Sequence, residues 1–343
     1  MTTALDIKND DDPLTKETFT SDQEVRWCPG CGDYAILASV QKVLPELGIK
    51  RENTVFISGI GCSSRFPYYL NTYGFHTIHG RAPTIATGLK IARPELSVWV
   101  ITGDGDGLSI GTNHLLHMMR RNVDVTILLF NNRIYGLTKG QYSPTSEKGK
   151  KTKTTPLGSI DHPFDPVHLA LAAGCSFVAR SIDVDSKGLQ WVLKEAASHR
   201  GTSFVEIYQN CNVFNDGAFA DISDRGLRAH NTITLNPGNP LVFGQNNDKG
   251  LRFNGDDFEI ISMADENAAS KVYVHQNHDS IAMAIKLNEL QRPEFPVPVG
   301  IFRAMQRPIY EEEIKEMVLT AQNQQPQASV DALLRTGKTW TIK

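Results

Sequence analysis

Much that would send a chain to a membrane or to nucleic acid is missing here. No run of apolar residues approaches the roughly 18 to 20 that cross a bilayer. The first ten residues, Met1 to Asp10, lack the basic-then-apolar order of a secretory leader. A cytoplasmic protein without membrane contact is therefore expected. Charge of one sign is missing too: 35 Lys and Arg stand against 38 Asp and Glu, a net −3, which leaves no concentrated basic face for nucleic acid. Cysteine is scarce and odd in number. Five thiols in 343 residues make a poor disulfide framework, so reduced thiols available as ligands are expected.

What is present is a chain long enough for one large or two modest domains. Residues 1–22 are polar, carry Asp10, Asp11 and Asp12, and read as an arm without sustained periodicity. From Tyr34 to Leu44 apolar residues recur on a helical period, stopping at Pro45. Short β-rich runs at 54–58, 96–101, 125–130, 176–179 and 203–208 alternate with helical patterns at 82–92, 110–121, 166–173 and 187–198. Nearly continuous apolar strands separated by helices predict a doubly wound, mostly parallel α/β sheet over residues 23–225. Residues 135–166 hold neither helix nor strand and include the basic stretch Lys148 to Lys153, which suits contact with phosphates or with a partner. Periodicity weakens from 226, giving a loop-rich C-terminal extension over 226–343 laid on the domain; its stretch Ala321 to Gln327 reads as exposed.

Two patterns carry chemistry. Gly103-Asp104-Gly105-Asp106 directly follows one strand and Asn131-Asn132 ends the next. A Gly-rich turn brings backbone N–H groups to a phosphate, while a strand-end carboxylate and a neighbouring strand-end amide offer hard oxygens to Mg. The other pattern is Cys28-Pro29-Gly30-Cys31 with single cysteines at Cys62 and Cys211, both just past strands. Four thiolates from three loops suit structural zinc or a 4Fe-4S cluster, and one Cys-x-x-Cys pair with two singletons favours the cluster. Cys175, among small and apolar residues, reads as a buried structural thiol. His76 and His79 are spaced to serve in proton transfer or to hold polar groups.

The Gly-Asp-Gly to Asn-Asn pattern resembles the thiamin diphosphate motif. Together with the cysteines, it makes the chain similar to the β subunits of the 2-oxoacid:ferredoxin oxidoreductases, and most like the 2-oxoglutarate enzymes. The motifs lie within residues 25–215, and Leu241 to Gly244 and Pro298 to Phe302 also look like the family. The resemblance implies a thiamin diphosphate-binding (PP-type) fold. It assigns a 4Fe-4S cluster to Cys28, Cys31, Cys62 and Cys211, and Mg to Asp104, Asn132 and the Ile134 carbonyl. It places Gly61, Cys62, Gly103, Gly105, Asp106, Gly136 and Leu137 at the cofactor, and Arg65 at the substrate carboxylate.

The implied reaction is CoA-dependent oxidative decarboxylation of 2-oxoglutarate to succinyl-CoA and carbon dioxide, or its reverse, with electrons leaving to ferredoxin. Pyruvate is the alternative 2-oxoacid. A non-redox thiamin decarboxylase or carboligase with structural zinc is the alternative of another class. Only one βαβ-rich domain is visible, so an α subunit is expected to supply the pyrimidine side, in a dimer of heterodimers.

Overall fold

The computed structural model describes residues 13–278, 280–324, 329–338, 340 and 342. Among the described residues, eleven strands form two sheets: β1 Thr54–Ser58, β2 Tyr73–His76, β3 Ser97–Gly103, β4 Thr126–Asn131, β5 Phe177–Ile182, β6 Ser203–Tyr208, β7 Thr232–Leu235, β8 Val242–Phe243, β9 Lys249–Phe253, β10 Phe258–Ser262 and β11 Val297–Ala304. The main sheet has eight strands in the order β2-β1-β3-β4-β6-β5-β11-β7, and β8, β9 and β10 make a small antiparallel sheet. All pairings of the main sheet are parallel except β11 with β5.

Both faces are covered because successive side chains point to opposite sides. Val55, Ile57, Val98, Val100, Ile127 and Leu129 join one core with the helices α2 Ala82–Ala92, α4 Thr112–Arg121 and α5 Pro166–Ala172. Their neighbours Phe56, Trp99, Ile101, Leu128 and Phe130 join the other, with α1 Asp33–Glu46 and α6 Ser186–Ser198. A single helical turn, α3, occupies Asp104–Gly107. Local sequence sets several helix ends. Asp165 accepts from His168 N at 2.8 Å with Pro166 at the first helical position of α5, and Asn122 closes α4 in the left-handed region at φ 59°.

Three elements differ from the sequence reading. Of the arm 1–22, residues 1–12, with Asp10, Asp11 and Asp12, lie outside the described residues, but the remainder is tied down. Phe19 is fully buried, its carbonyl accepts from Asn71 N at 3.0 Å, and Thr20 bridges Leu70. One aromatic side chain in a polar segment carries enough apolar area to anchor it. Second, β2 is a strand outside the β-rich runs read from the sequence. It is an exposed edge strand, so its residues show no burial alternation. Third, α1 runs through Pro45, because Leu47 N still reaches Val43 O at 3.2 Å.

The C-terminal extension also contributes to the main sheet. β11 inserts between β5 and β7, and a helix at Tyr310–Gln324 follows it. Residues 321–324 are exposed, and 325–327 lie outside the described residues. Among the described residues, no helix is long and apolar enough to cross a membrane.

Candidate functional site

The register brings the chemical residues to one edge. Gly103 pairs opposite Phe130, and Asn131 opposite Tyr208, so the C-terminal ends of β3, β4 and β6 lie level. The four adjacent strands β1, β3, β4 and β6 are followed respectively by Cys62, Asp104, Asn132 and Cys211. The two central strands therefore bear the Gly-Asp-Gly and Asn-Asn patterns, and the two flanking strands lead to cysteine loops.

A cavity of about 50 Å³ opens at the ends of β3 and β4, with Gly103, Asp104, Gly105, Asn132, Ile134 and Gly136 in its wall. Gly61, Asp106, His79 and Leu137 also line it. The wall needs glycine at position 105, where a Cβ would come within 2.3 Å of the Tyr135 ring; Tyr135 Oη donates to the Gly105 carbonyl at 2.9 Å. Arg133 adopts φ 57°, turning the chain sharply between Asn132 and Ile134. The Asn132 amide oxygen accepts from Ile134 N at 3.1 Å. A carboxylate, an amide oxygen and a carbonyl-bearing loop residue on one small cavity are the donor types Mg takes, so these residues fit a Mg-diphosphate.

Asp104 is buried, and its Oδ2 accepts from Ser143 Oγ at 2.5 Å and Thr145 Oγ1 at 2.6 Å. Burial pushes its carboxyl up to about 6, with the two hydroxyls pulling the other way. Ser143 and Thr145 were not among the expected site residues. They belong to the long loop after β4, whose lack of period hides them; the run Ser143-Pro144-Thr145-Ser146 was the available signal.

Asp106 has a different position from its neighbour. Its Oδ1 accepts from Ile60 N at 3.2 Å, Gly80 N at 3.0 Å and His79 Nδ1 at 2.9 Å, and its Oδ2 from Thr102 Oγ1 at 3.0 Å. Its carboxylate thus ties the loops after β1 and β2 to α3. His76 stands at the end of β2, with Nδ1 3.0 Å from both Ser58 Oγ and the Ser64 carbonyl, and lines neither this cavity nor the one described next.

Behind the strand ends, Asn131 Nδ2 donates to Glu206 Oε1 at 2.7 Å, and Glu206 Oε2 accepts from Arg180 Nε at 2.6 Å. All three side chains are buried. Glu206→Ala is expected to lower stability by about 3–5 kcal/mol by breaking the buried ion pair with Arg180, which keeps only the longer contact to Asp165 at 3.7 Å, read as a fall in the thermal midpoint. An unchanged midpoint would contradict this.

The second cavity, about 240 Å³, is lined by Cys28, Cys31, Cys62 and Cys211, with Arg26 and Arg65 on the same wall. Gly30, at φ 84°, shapes the first turn, where Cys31 N bonds Cys28 O at 3.0 Å. Trp27 Nε1 holds the Cys62 carbonyl at 2.7 Å. A Cβ at Gly136 would sit 3.4 Å from Cys62 Sγ and 3.7 Å from Cys211 Sγ, so this glycine faces two of the sulfurs.

Among the described residues, no three His, Cys, Asp or Glu side chains close on one point to hold a single ion. Four thiols lining one cavity are the donor type that a multi-iron cluster takes. Burial, and then the Asp33 carboxylate, push the Cys31 thiol well above its ordinary range and Cys62 to about 12. A metal must therefore displace protons to bind here. Asp33 itself is raised to about 7 by burial, with Asp183 adding to the shift.

The cavities share a wall made of Asp33, Cys62, Asn132, Gly136 and Leu137. Arg65, which lines the second cavity and not the first, is half-buried, its Nε donating to Tyr69 Oη at 3.0 Å. Cys175 lies outside, buried, with its thiol against the Phe177 and Thr202 carbonyls at 3.3 and 3.2 Å. Lys150 bonds Asn215 Oδ1, Lys151 and Lys153 are exposed, and none of these lysines lines either cavity.

Residues 59–207 match the family described as thiamine pyrophosphate enzyme, C-terminal TPP binding domain. The chain is 55% identical over 340 residues to the 2-oxoglutarate oxidoreductase subunit KorB of Mycobacterium tuberculosis, covering 98% of this chain and 91% of that one. It is 46% identical over 185 residues to the 2-oxoglutarate synthase subunit KorB of Archaeoglobus fulgidus, covering 54% of this chain and 69% of that one. Its structure is similar to a 2-oxoglutarate:ferredoxin oxidoreductase from Magnetococcus marinus solved with 2-oxoglutarate, coenzyme A and succinyl-CoA bound. The TM-score is 0.75 at 32% identity, over 95% of this chain and 97% of that one.

Proposed function

Because the chain belongs to the β subunits of the 2-oxoacid:ferredoxin oxidoreductases, we propose that its two joined cavities are the thiamin diphosphate and 4Fe-4S seats of a 2-oxoglutarate:ferredoxin oxidoreductase. The reaction takes 2-oxoglutarate and CoA to succinyl-CoA and carbon dioxide with two electrons released to ferredoxin, or runs in reverse. The observation that carries this reading is the shared wall: Cys62, Asn132 and Gly136 line both the oxygen-donor cavity and the four-cysteine cavity.

When bound, thiamin diphosphate supplies the electron sink for loss of carbon dioxide, and the cluster takes up electrons one at a time. The residues of this chain hold and orient. Asp104, Asn132 and the Ile134 carbonyl would hold Mg, Gly103 and Gly105 keep the diphosphate approach free of side chains, and Cys28, Cys31, Cys62 and Cys211 would hold the cluster. Asp106 fixes the loops around this seat. Arg65, on the cluster side of the shared wall, would pair with the distal carboxylate of 2-oxoglutarate. An α subunit would complete the pyrimidine side, in a dimer of heterodimers. The zinc-bearing decarboxylase reading gives the wall shared by the cysteine cavity and the oxygen-donor cavity no task.

The test is CoA-dependent viologen reduction by the anaerobically purified holoenzyme. 2-Oxoglutarate is expected to turn over much faster than pyruvate, and the reverse order would defeat the substrate assignment. Arg65→Ala should raise KM for 2-oxoglutarate about tenfold or more, the scale of a lost charge-assisted hydrogen bond, while thiamin diphosphate affinity stays near wild type.

A further inference from the structure

Gln209 immediately follows β6, two residues before Cys211, and is only 1% exposed. Its side-chain amide touches both halves of the site. Gln209 Oε1 accepts from Asn132 Nδ2 at 2.8 Å, while Gln209 Nε2 donates to the Asn210 carbonyl at 2.6 Å and to Cys31 Sγ at 3.3 Å. The Cys31 thiol sulfur here stands in for the thiolate that would ligate iron.

The direction of this relay is fixed by elementary donor and acceptor rules. A backbone carbonyl can only accept, so the Asn210 oxygen requires the Gln209 nitrogen on its side. Gln209 must then offer its oxygen to Asn132, and Asn132 must answer with its nitrogen. That leaves the Asn132 oxygen as the atom available to a metal. One carbonyl therefore orients two amides in succession.

The surroundings hold the relay in place. Gln209 N bonds Asn131 O at 2.9 Å, and Gly32 N bonds Asn210 O at 3.1 Å, joining β4, β6 and the Cys-x-x-Cys turn. A Cβ at Gly32 would come within 3.0 Å of Gln209 Cγ and still closer to Asp183, so the glycine after Cys31 keeps room for this contact.

We propose that Gln209 is a positioning residue shared by the two sites. Its oxygen orients the Asn132 amide for Mg, and its N–H tunes the cluster through the Cys31 sulfur. The inference rests on the assignment of a Mg-diphosphate and a cluster to these cavities. An N–H donated to a cluster sulfur favours the more negative, reduced state, and hydrogen bonds of this kind set cluster potentials.

Two variants separate the arms. In Gln209→Leu both contacts go: the cluster midpoint potential should become more negative and Mg-dependent thiamin diphosphate binding should weaken about 10- to 100-fold. In Gln209→Glu an oxygen toward Asn132 remains, but the N–H given to Cys31 and to the Asn210 carbonyl is lost and a carboxylate is added, so the potential should fall further than in Gln209→Leu while Mg-dependent binding weakens less. Potentials are read by spectroelectrochemical titration of the anaerobic holoenzyme, and binding by tryptophan fluorescence.

A residue needed only for folding would not divide the effects in this way. Wild-type values for both readouts in Gln209→Leu, equal losses in the two variants, or failure of both to load iron would overturn the proposal. If Gln209→Leu alone fails to load iron, its binding arm measured without the cluster and the Gln209→Glu potential decide the matter. A wild-type enzyme that holds no iron would instead overturn the assignment of the cavity, which is a separate result.

Discussion

Cys62→Ser is expected to strip the holoenzyme of its iron and to lower CoA-dependent 2-oxoglutarate oxidation by more than about 100-fold, beyond what loss of a supporting contact costs. Serine has nearly the shape of cysteine, so the Trp27 bond to the residue 62 carbonyl and the loop after β1 should persist. What changes is the donor, from a soft sulfur to a hard hydroxyl that does not serve as a thiolate ligand. Cys62 also belongs to the wall common to both cavities, so its loss affects the place where electrons must pass. Iron should drop from about four per chain, with loss of the broad visible absorption of a thiolate-bound cluster. Cys175→Ser, changing a thiol that lines neither cavity, should keep iron at the wild-type level. Retention of a full cluster in Cys62→Ser would remove this cysteine from the ligand set.

Asp104→Asn should have a comparable effect by a different route. The asparagine oxygen can still accept from Ser143 and Thr145, so the loop after β4 keeps its contacts. The charge is lost, however, and Mg prefers an anionic oxygen. Thiamin diphosphate binding should weaken by at least about 100-fold, with overall turnover falling alongside it, because Asp104 is a direct ligand in this reading rather than a supporting contact. Removing a buried charge relieves its desolvation, so the thermal midpoint without Mg should not fall. The sign follows from the raised carboxyl. Asp104 titrates near 6 in the fold, above its ordinary value of 3.8, so it favours the folded state at low pH and progressively less as pH rises through about 6. Asparagine removes that dependence. A variant that binds Mg and thiamin diphosphate normally, or one that simply unfolds, would contradict the ligand assignment.

The strands that carry the site were legible because they are buried on both faces and therefore spell continuous apolar runs, as Val98 to Ile101 and Ile127 to Phe130 do. Their ends were legible for the same reason: a Gly or Asn pair interrupts each run. β2 left no such trace, since an exposed edge strand needs no apolar alternation. Phe19 was hidden by its polar neighbours.

Within the site, the metal-type donors announced themselves by residue type and the supporting ones did not. Asp104 and Asp106 share one tetrad, yet only the structure shows one against the hydroxyls of a distant loop and the other saturated by four protein donors. Ser143, Thr145, Glu206 and Gln209 lie far along the chain from the residues they support. Strand order sets the roles of Glu206 and Gln209, joining β4 to β6 across the three intervening elements α5, β5 and α6, and no local pattern records that adjacency.

The same strand order has a consequence for how the molecule would age in air. Six strands of the main sheet lie in the chain between Cys31 and Cys211, so a cluster gripping both would be a clasp on one very long loop of polypeptide. Such a clasp removes freedom from the unfolded chain, as any long-range cross-link does. It would also hold together β1 and β6, the strands that flank β3 and β4, between whose ends the proposed diphosphate seat lies. Oxidative loss of the cluster would then be an unfastening as well as the loss of a wire, taking a tie from the loops that flank the cofactor seat.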